Sequence, residues 1–173
     1  ELLDKAVELK MPAMAVTEHG NMFSSIVFHD QARKRGINPI LGCEVYVAPG
    51  DRRTKSGTPG ETANHLVLLA ETREGYHNLI KLVSSGYTEG FYYKPRIDKE
   101  LLQKYAKGLI ATSCCIGAEV PQAILWKTEE EAEEIFRWWL DLFGEDYYIE
   151  IQRHGLQNID NTGKSQEHIN QVL

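Results

Sequence analysis

Four stretches of this 173-residue chain set metal-capable side chains against short apolar runs. Met14-Ala15-Val16-Thr17 leads into Glu18, His19 and Gly20, and Gly42-Cys43-Glu44 sits within a second apolar run. His65 opens the run Leu66-Val67-Leu68-Leu69-Ala70, and Ser113-Cys114-Cys115 closes a fourth. An apolar run ending in polar residues and a glycine reads as a strand that leaves a core and delivers side chains to a rim, the glycine letting the backbone turn. Two imidazoles, a carboxylate and a thiolate form a common donor set for a divalent cation. Zinc takes N, O and S together, while manganese or iron favours the N and O donors. A metal held this way activates a water and neutralises phosphate oxygens during hydrolysis. His19, with Glu18 beside it, is a candidate ligand or general base. The bland reading of the same residues is a set of solvated or hydrogen-bonded rim groups, because separated ligands cannot be joined without a fold.

Neighbouring candidates divide by position. Cys43 alternates away from Glu44 and reads as a small buried hydrophobe. Of Cys114 and Cys115, one faces the core and the other the rim. His29 and His77 fall on helical stretches and His168 near the C-terminus, where solvated roles are expected. Arg153 and His154 follow an expected strand over 146–152 and serve either to bind phosphate or to salt-bridge on the rim.

The elements that must position these groups alternate between helix and strand. Helical spacing is expected over 1–9, ended by Pro12, and over 22–35 through Phe23, Ile26 and Val27, with Gly36 as C-terminal cap. It recurs over 74–85, with Tyr76, Leu79, Ile80 and Val83 on one face, and in a short helix capped by Asp98. A helix after Gly117 carries Val120, Ala123, Ile124 and Leu125, and a last one starts near Gly163. The best-specified helix is 129–143: Thr128 and Glu131 form a capping box, and Ala132, Ile135, Phe136, Trp139, Leu140 and Phe143 make a core stripe. Strands are expected over 13–17, 37–47, 65–70, 109–113 and 146–152, with a mobile loop over 49–64. Such alternation predicts an α/β fold with a largely parallel sheet, open or closed as a barrel, in one domain. Side chains at strand ends then converge on one rim. His65, at the start of its strand, joins that rim only if 65–70 runs antiparallel.

Composition narrows the class. Nineteen basic against 25 acidic residues give a net charge of −6, with no global electrostatic footprint for nucleic acid and no exclusion of it. No long uncharged apolar run marks a membrane span, and no signal peptide is visible. Three cysteines suggest no disulfide framework and fit a reducing, cytoplasmic setting. The chain opens and closes within helix-like patterns and has no initiator Met, so a piece of a longer protein is expected.

Taken together, these stretches resemble one family. They are Pro12 to Asn21, Pro39-Ile40-Leu41-Gly42-Cys43-Glu44, His65 to Ala70, Gly90-Phe91-Tyr92-Tyr93-Lys94-Pro95-Arg96-Ile97-Asp98, Gly108 to Cys115, and Glu150-Ile151-Gln152-Arg153-His154-Gly155. Their order and spacing are similar to the PHP (polymerase and histidinol phosphatase) domain at the N-terminus of bacterial replicative DNA polymerase III alpha subunits. The Tyr-Tyr-Lys-Pro-Arg loop points to that polymerase branch. The resemblance implies a distorted (β/α)7 barrel spanning 1–173, here truncated at both ends. The family's opening His-x-His and closing Asp-x-His motifs would fall outside the chain. It implies a rim site for up to three divalent metals (Zn, Mn or Fe), with His19, Glu44, His65 and Cys115 at the matching ligand positions. Glu18 stands where the family more often has Asp, and Cys114 where it usually has Gly.

The parent protein so implied is a DNA-directed DNA polymerase acting on primer-template DNA with other replicase subunits, such as an exonuclease and the sliding clamp. For the domain itself the resemblance implies a metal-dependent phosphoesterase, of 3′–5′ exonuclease type, with His19 and His154 as catalytic candidates. Tyr92, Tyr93, Lys94, Arg96 and Arg153 would then meet the nucleic acid, the tyrosines stacking on a strand end. Internal packing and ion pairing are the alternative role for that loop. The rival functions are a non-catalytic platform that stabilises the polymerase or docks an exonuclease subunit, and a free-standing phosphatase.

Overall fold

The computed structural model of the protein describes residues 1–57 and 63–173, so part of the expected 49–64 loop lies outside the described residues. Helix α1 (Leu2–Glu8) leads into strand β1 (Ala13–His19), helix α2 (Ser25–Lys34) and strand β2 (Asn38–Val47). Strand β3 (Asn64–Ala70), helix α3 (Arg73–Thr88), strand β4 (Arg96–Ile97), helix α4 (Lys99–Tyr105) and strand β5 (Leu109–Thr112) follow. Helices α5 (Glu119–Trp126) and α6 (Glu129–Phe143), strand β6 (Tyr147–Tyr148) and helix α7 (Gln166–Val172) complete the order.

The strands form one mixed sheet in the order β1-β2-β3-β5-β6, with β4 on β2. Pairing is parallel for β1–β2, β2–β4 and β5–β6, and antiparallel on both sides of β3. β3 is thus the one reversal in an otherwise parallel set, and His65 reaches the rim as the antiparallel expectation required. β1 covers β2 only as far as Glu44, and β4 pairs with Tyr46 and Val47 beyond it. The end strands β1 and β6 do not pair with each other, so the described strands make a mixed α/β sheet and not a closed barrel.

Side-chain alternation divides the sheet into two faces. Cys43, Val45 and Val47 of β2 and Leu66 and Leu68 of β3 point into the main core, under Leu79 and Leu82 of α3 and Leu101 and Leu102 of α4. The intervening residues Glu44, Tyr46 and His65 fall on the other face. Cys43 is fully buried, as its alternation predicts, and burial pushes its thiol up to about 12. Helix α6 keeps its capping box, Gly144 ends it at φ 57°, and Trp139 and Phe143 are buried. Trp139 donates its indole N–H to Glu119 at 2.9 Å.

Three expectations need correction. The strand over 146–152 shrinks to Tyr147–Tyr148, because its partner β5 ends at Thr112. In α2 the buried residues are Ser25, Phe28 and Ala32, whereas Phe23 (81% exposed), Ile26 and Val27 face solvent. The buried face of α3 keeps Leu79 but runs through Gly75, Asn78, Leu82 and Gly86, with Ile80 exposed. A Cβ at Gly75 would run into the backbone carbonyl of Gly108, so this helix docks backbone to backbone and its phase follows that contact.

Candidate metal centre

His19, at the end of β1, is the cross-strand partner of Glu44, three residues before the end of β2. Glu44 lies in close polar contact with both imidazoles: His19 Nε2 is 3.2 Å from Oε2 and His65 Nδ1 2.9 Å from Oε1. The Cys115 Sγ lies 3.5 Å from the same His65 Nδ1. The four expected donors therefore form one run of contacts across β1, β2, β3 and the turn after β5. His65 is fixed from behind, its backbone N–H donating to the Gly117 carbonyl at 3.0 Å. The run opens outward, from a half-buried Cys115 to a His19 side chain that is 73% exposed.

Electrostatics follow this geometry. Hydrogen bonds with Cys114 and then His65 draw the Cys115 thiol down to about 4, favouring the thiolate that a metal requires. The bond to Cys115 raises the proton affinity of His65, which burial and the nearby Lys94 charge oppose. Cys114 turns inward at φ 55° and is buried, and its thiol is pushed up by the bond to Cys115 and by burial. The rim thiol is thus Cys115 and the core thiol Cys114. In chemical type the set suits a divalent cation. The donors nonetheless satisfy one another here, and among the described residues no three His, Cys, Asp or Glu side chains converge as a metal cage.

The other candidates separate. His154 is exposed and its Nε2 meets Gln152 at 3.2 Å, away from the donor run, and Arg153 is exposed. Tyr93 is exposed at φ 58°, and Tyr92 packs on it at 4.5 Å while donating its hydroxyl to the Gly57 carbonyl. Arg96 corrects the expectation of a nucleic-acid contact. It is only 2% exposed, and its guanidinium donates to the carbonyls of Gly90, Arg52 and Thr54, so it fastens the loop from inside. Lys94 is exposed, with its Nζ 4.3 Å from the centre of the Tyr46 ring. His29 and His77 are exposed, as expected, and His168 is half-buried.

Sequence reasoning missed two contributors. Tyr46 stands two residues after Glu44 on the same face, a spacing that flags it once β2 is recognised, and its ring meets His65 edge-on at 5.3 Å. Arg52 is buried and pairs with Asp98 and Glu89, a link across 37 to 46 residues that no local pattern signals.

The family model described as the PHP domain matches residues 1–154. The chain belongs to the PHP domain family. PHP domains are in general metal-dependent, in keeping with the donor types at this rim. The chain is 45% identical over 161 residues to DNA polymerase III subunit alpha of Borreliella burgdorferi, covering 92% of this chain and 14% of that protein. It is 50% identical over 153 residues to the subunit of the same name from Deinococcus radiodurans, covering 86% and 12%. The Thermus aquaticus subunit is 46% identical over 165 residues, covering 94% and 13%. This PHP chain thus spans less than one-sixth of the length of these curated relatives. Among its described residues, no helix is long and apolar enough to cross a membrane.

Proposed function

We propose that this chain is the PHP region at the N-terminus of a bacterial DNA polymerase III alpha subunit. The whole protein would extend primer strands on a DNA template in the cytoplasm, with an exonuclease subunit and the sliding clamp as partners. The relatives' shared name and their identity along nearly all of this chain support that reading. For the region itself we propose a metal-dependent phosphoesterase acting as a 3′–5′ exonuclease. The observation that carries it is the Glu44 carboxylate shared between His19 and His65, with the Cys115 thiol on the same imidazole.

In this reading His19, Glu44, His65 and Cys115 hold a divalent metal (Zn, Mn or Fe), with up to three metals in the complete domain. A metal there supplies a more acidic water and charge neutralisation at phosphate. Glu44 orients both imidazoles, and its two oxygens keep their ring nitrogens aimed at one rim. His19, the most exposed of the four, lies on the solvent side from which a water or substrate would approach. The half-buried Tyr92 and the exposed Tyr93 and Arg153 remain proposed strand contacts, and His154 has a part only if substrate extends to it.

One observation favours a second reading, a platform without catalysis: the donors at this rim are in contact with one another, His19 and His65 with Glu44 and Cys115 with His65. Elemental analysis of the full-length protein, paired with a 3′–5′ exonuclease assay on single-stranded DNA with added Mn²⁺ or Zn²⁺, separates the two. The phosphoesterase reading expects bound metal and chelator-sensitive hydrolysis. Glu44→Gln should lower that hydrolysis by at least the roughly 10–100-fold that loss of an outer-shell partner typically costs. Metal without hydrolysis, or neither, supports the platform.

A further inference from the structure

We propose that Tyr46 is a positioning residue whose ring holds Lys94 beside the donor run, where the ammonium takes a non-bridging oxygen of a substrate phosphate. The inference rests on the phosphoesterase reading and adds a phosphate-binding group to it. Tyr46 is the cross-strand partner of His65 and is nearly buried. Its ring serves three neighbours. His65 packs against it at 5.3 Å with the planes 81° apart, and the Lys94 ammonium stands 4.3 Å from its centre. Gly20, the residue after His19, turns at φ 70°, and a Cβ there would fall 3.0 Å from Tyr46 Cε2 and 2.9 Å from Pro95 Cγ. The turn after one donor, the ring of another and the lysine thus share one wall.

Two further features make Lys94 a held charge and not a loose surface lysine. Its loop is anchored from within by Arg96 on the carbonyls of Gly90, Arg52 and Thr54, and the Lys94 carbonyl accepts from the Tyr92 N–H at 3.1 Å. Among the described residues no carboxylate forms an ion pair with the Lys94 ammonium. A cation on an aromatic face keeps its other N–H groups for a ligand. Phosphate is the anion that suits it, since a compact ammonium binds phosphate oxygens as a point charge, beside donors suited to phosphoryl chemistry.

The test is binding of thymidine 5′-monophosphate, the product type of a 3′–5′ exonuclease, to the full-length protein. Calorimetry in chelator keeps binding separate from turnover, and hydrolysis of bis-p-nitrophenyl phosphate with added Mn²⁺ is followed in parallel. Lys94→Gln should weaken binding about tenfold, the size of one charge-assisted hydrogen bond, and Lys94→Arg should retain most of it. Tyr46→Leu should weaken it as much as Lys94→Gln and add nothing in the Lys94→Gln background, whereas Tyr46→Phe, which keeps the ring, should restore it. In hydrolysis the Lys94→Gln loss should fall mainly on KM. Unfolding curves of the variants exclude a fold defect as the cause. Unchanged affinity in Lys94→Gln, additive losses in the double variant, or no measurable binding by the unsubstituted protein would overturn the proposal. Lys94-dependent binding without any hydrolysis would sink the phosphoesterase reading, and with it the substrate role, and leave Lys94 as a phosphate-binding group only.

Discussion

At the scale of single residues, the most constrained charge outside the rim is Asp98. It caps α4 by accepting from the Leu101 N–H, and it accepts the Arg52 backbone N–H and guanidinium at 2.9–3.0 Å while nearly buried. Burial pushes its carboxyl up, but the backbone bonds from Arg52 and Leu101 and the Arg52 charge outweigh that and hold it below the ordinary range. A carboxyl titrates near pH 3.9 in an unfolded chain, so this contribution is fully present above that value and is lost as pH falls through the lower folded value. Asp98→Asn should therefore destabilise the fold by about 3 kcal/mol near neutral pH, since it leaves Arg52 without its buried partner. The gap between the two proteins in urea unfolding should hold from about pH 6 to about pH 4 and narrow only as pH falls further, toward the lower folded value. A gap independent of pH would remove the charge from the account. The sequence showed Asp98 as a cap but not as a partner of Arg52, and it showed Arg96 as a basic loop residue but not as an internal fastener. In both cases most of the missing half lies 42 to 46 residues away, beyond the reach of local pattern.

At the scale of elements, α6 shows what a sequence can specify by itself. Its cap, its stop and most of its core stripe are local, and the structure keeps them, with Leu140 alone of the stripe exposed. Trp139→Ala should cost roughly 3–5 kcal/mol, by removing a fully buried ring and one of the two donors, with Lys99, to the Glu119 carboxylate. A thermal midpoint that hardly moves would show that α6 is not a core element. Helices α2 and α3 were legible as helices but not in phase. The buried face of α2 runs through Ser25, Phe28 and Ala32; in α3 the apolar residues at 76–83 match a helical face in number, yet the chain buries the positions that let backbones approach, Gly75 against Gly108 and Gly86 against Pro95. Close backbone approach depends on the small residue and not on the greasy one, so a hydrophobicity pattern reads it one step out of register. The rim was better served. His19, His65 and Cys115 were each visible at or just beyond a strand end or start and Glu44 within the 37–47 strand, and the reversal of β3 was the topological fact needed to join them.

At the scale of the whole molecule, stability should follow the sheet from its centre outward. β2 is paired along both edges, by β1 and then β4 on one side and by β3 on the other, and β3 lies between β2 and β5. Their inward residues, Cys43, Val45 and Val47 and then Leu66 and Leu68, meet α3 and α4 in the main core. β6 pairs with β5 alone over two residues, and the chain after it carries Ile149, Ile151 and Leu156 exposed. Regions with paired neighbours and buried contacts open only near the global unfolding limit, while thinly paired edges open locally. Hydrogen exchange of the full-length protein should accordingly find the slowest amides of this region in β2 and β3, with those of β6 and residues 149–156 exchanging faster. The donor run spans this gradient, since Glu44 and His65 stand on the central strands and His19 on the edge strand β1. Local opening would therefore release His19 before it disturbed the Glu44–His65 pair. If β6 and 149–156 instead proved as slow as β2, that edge would be covered in the intact protein by chain outside these 173 residues, and the ranking of strands drawn from this sheet would be wrong.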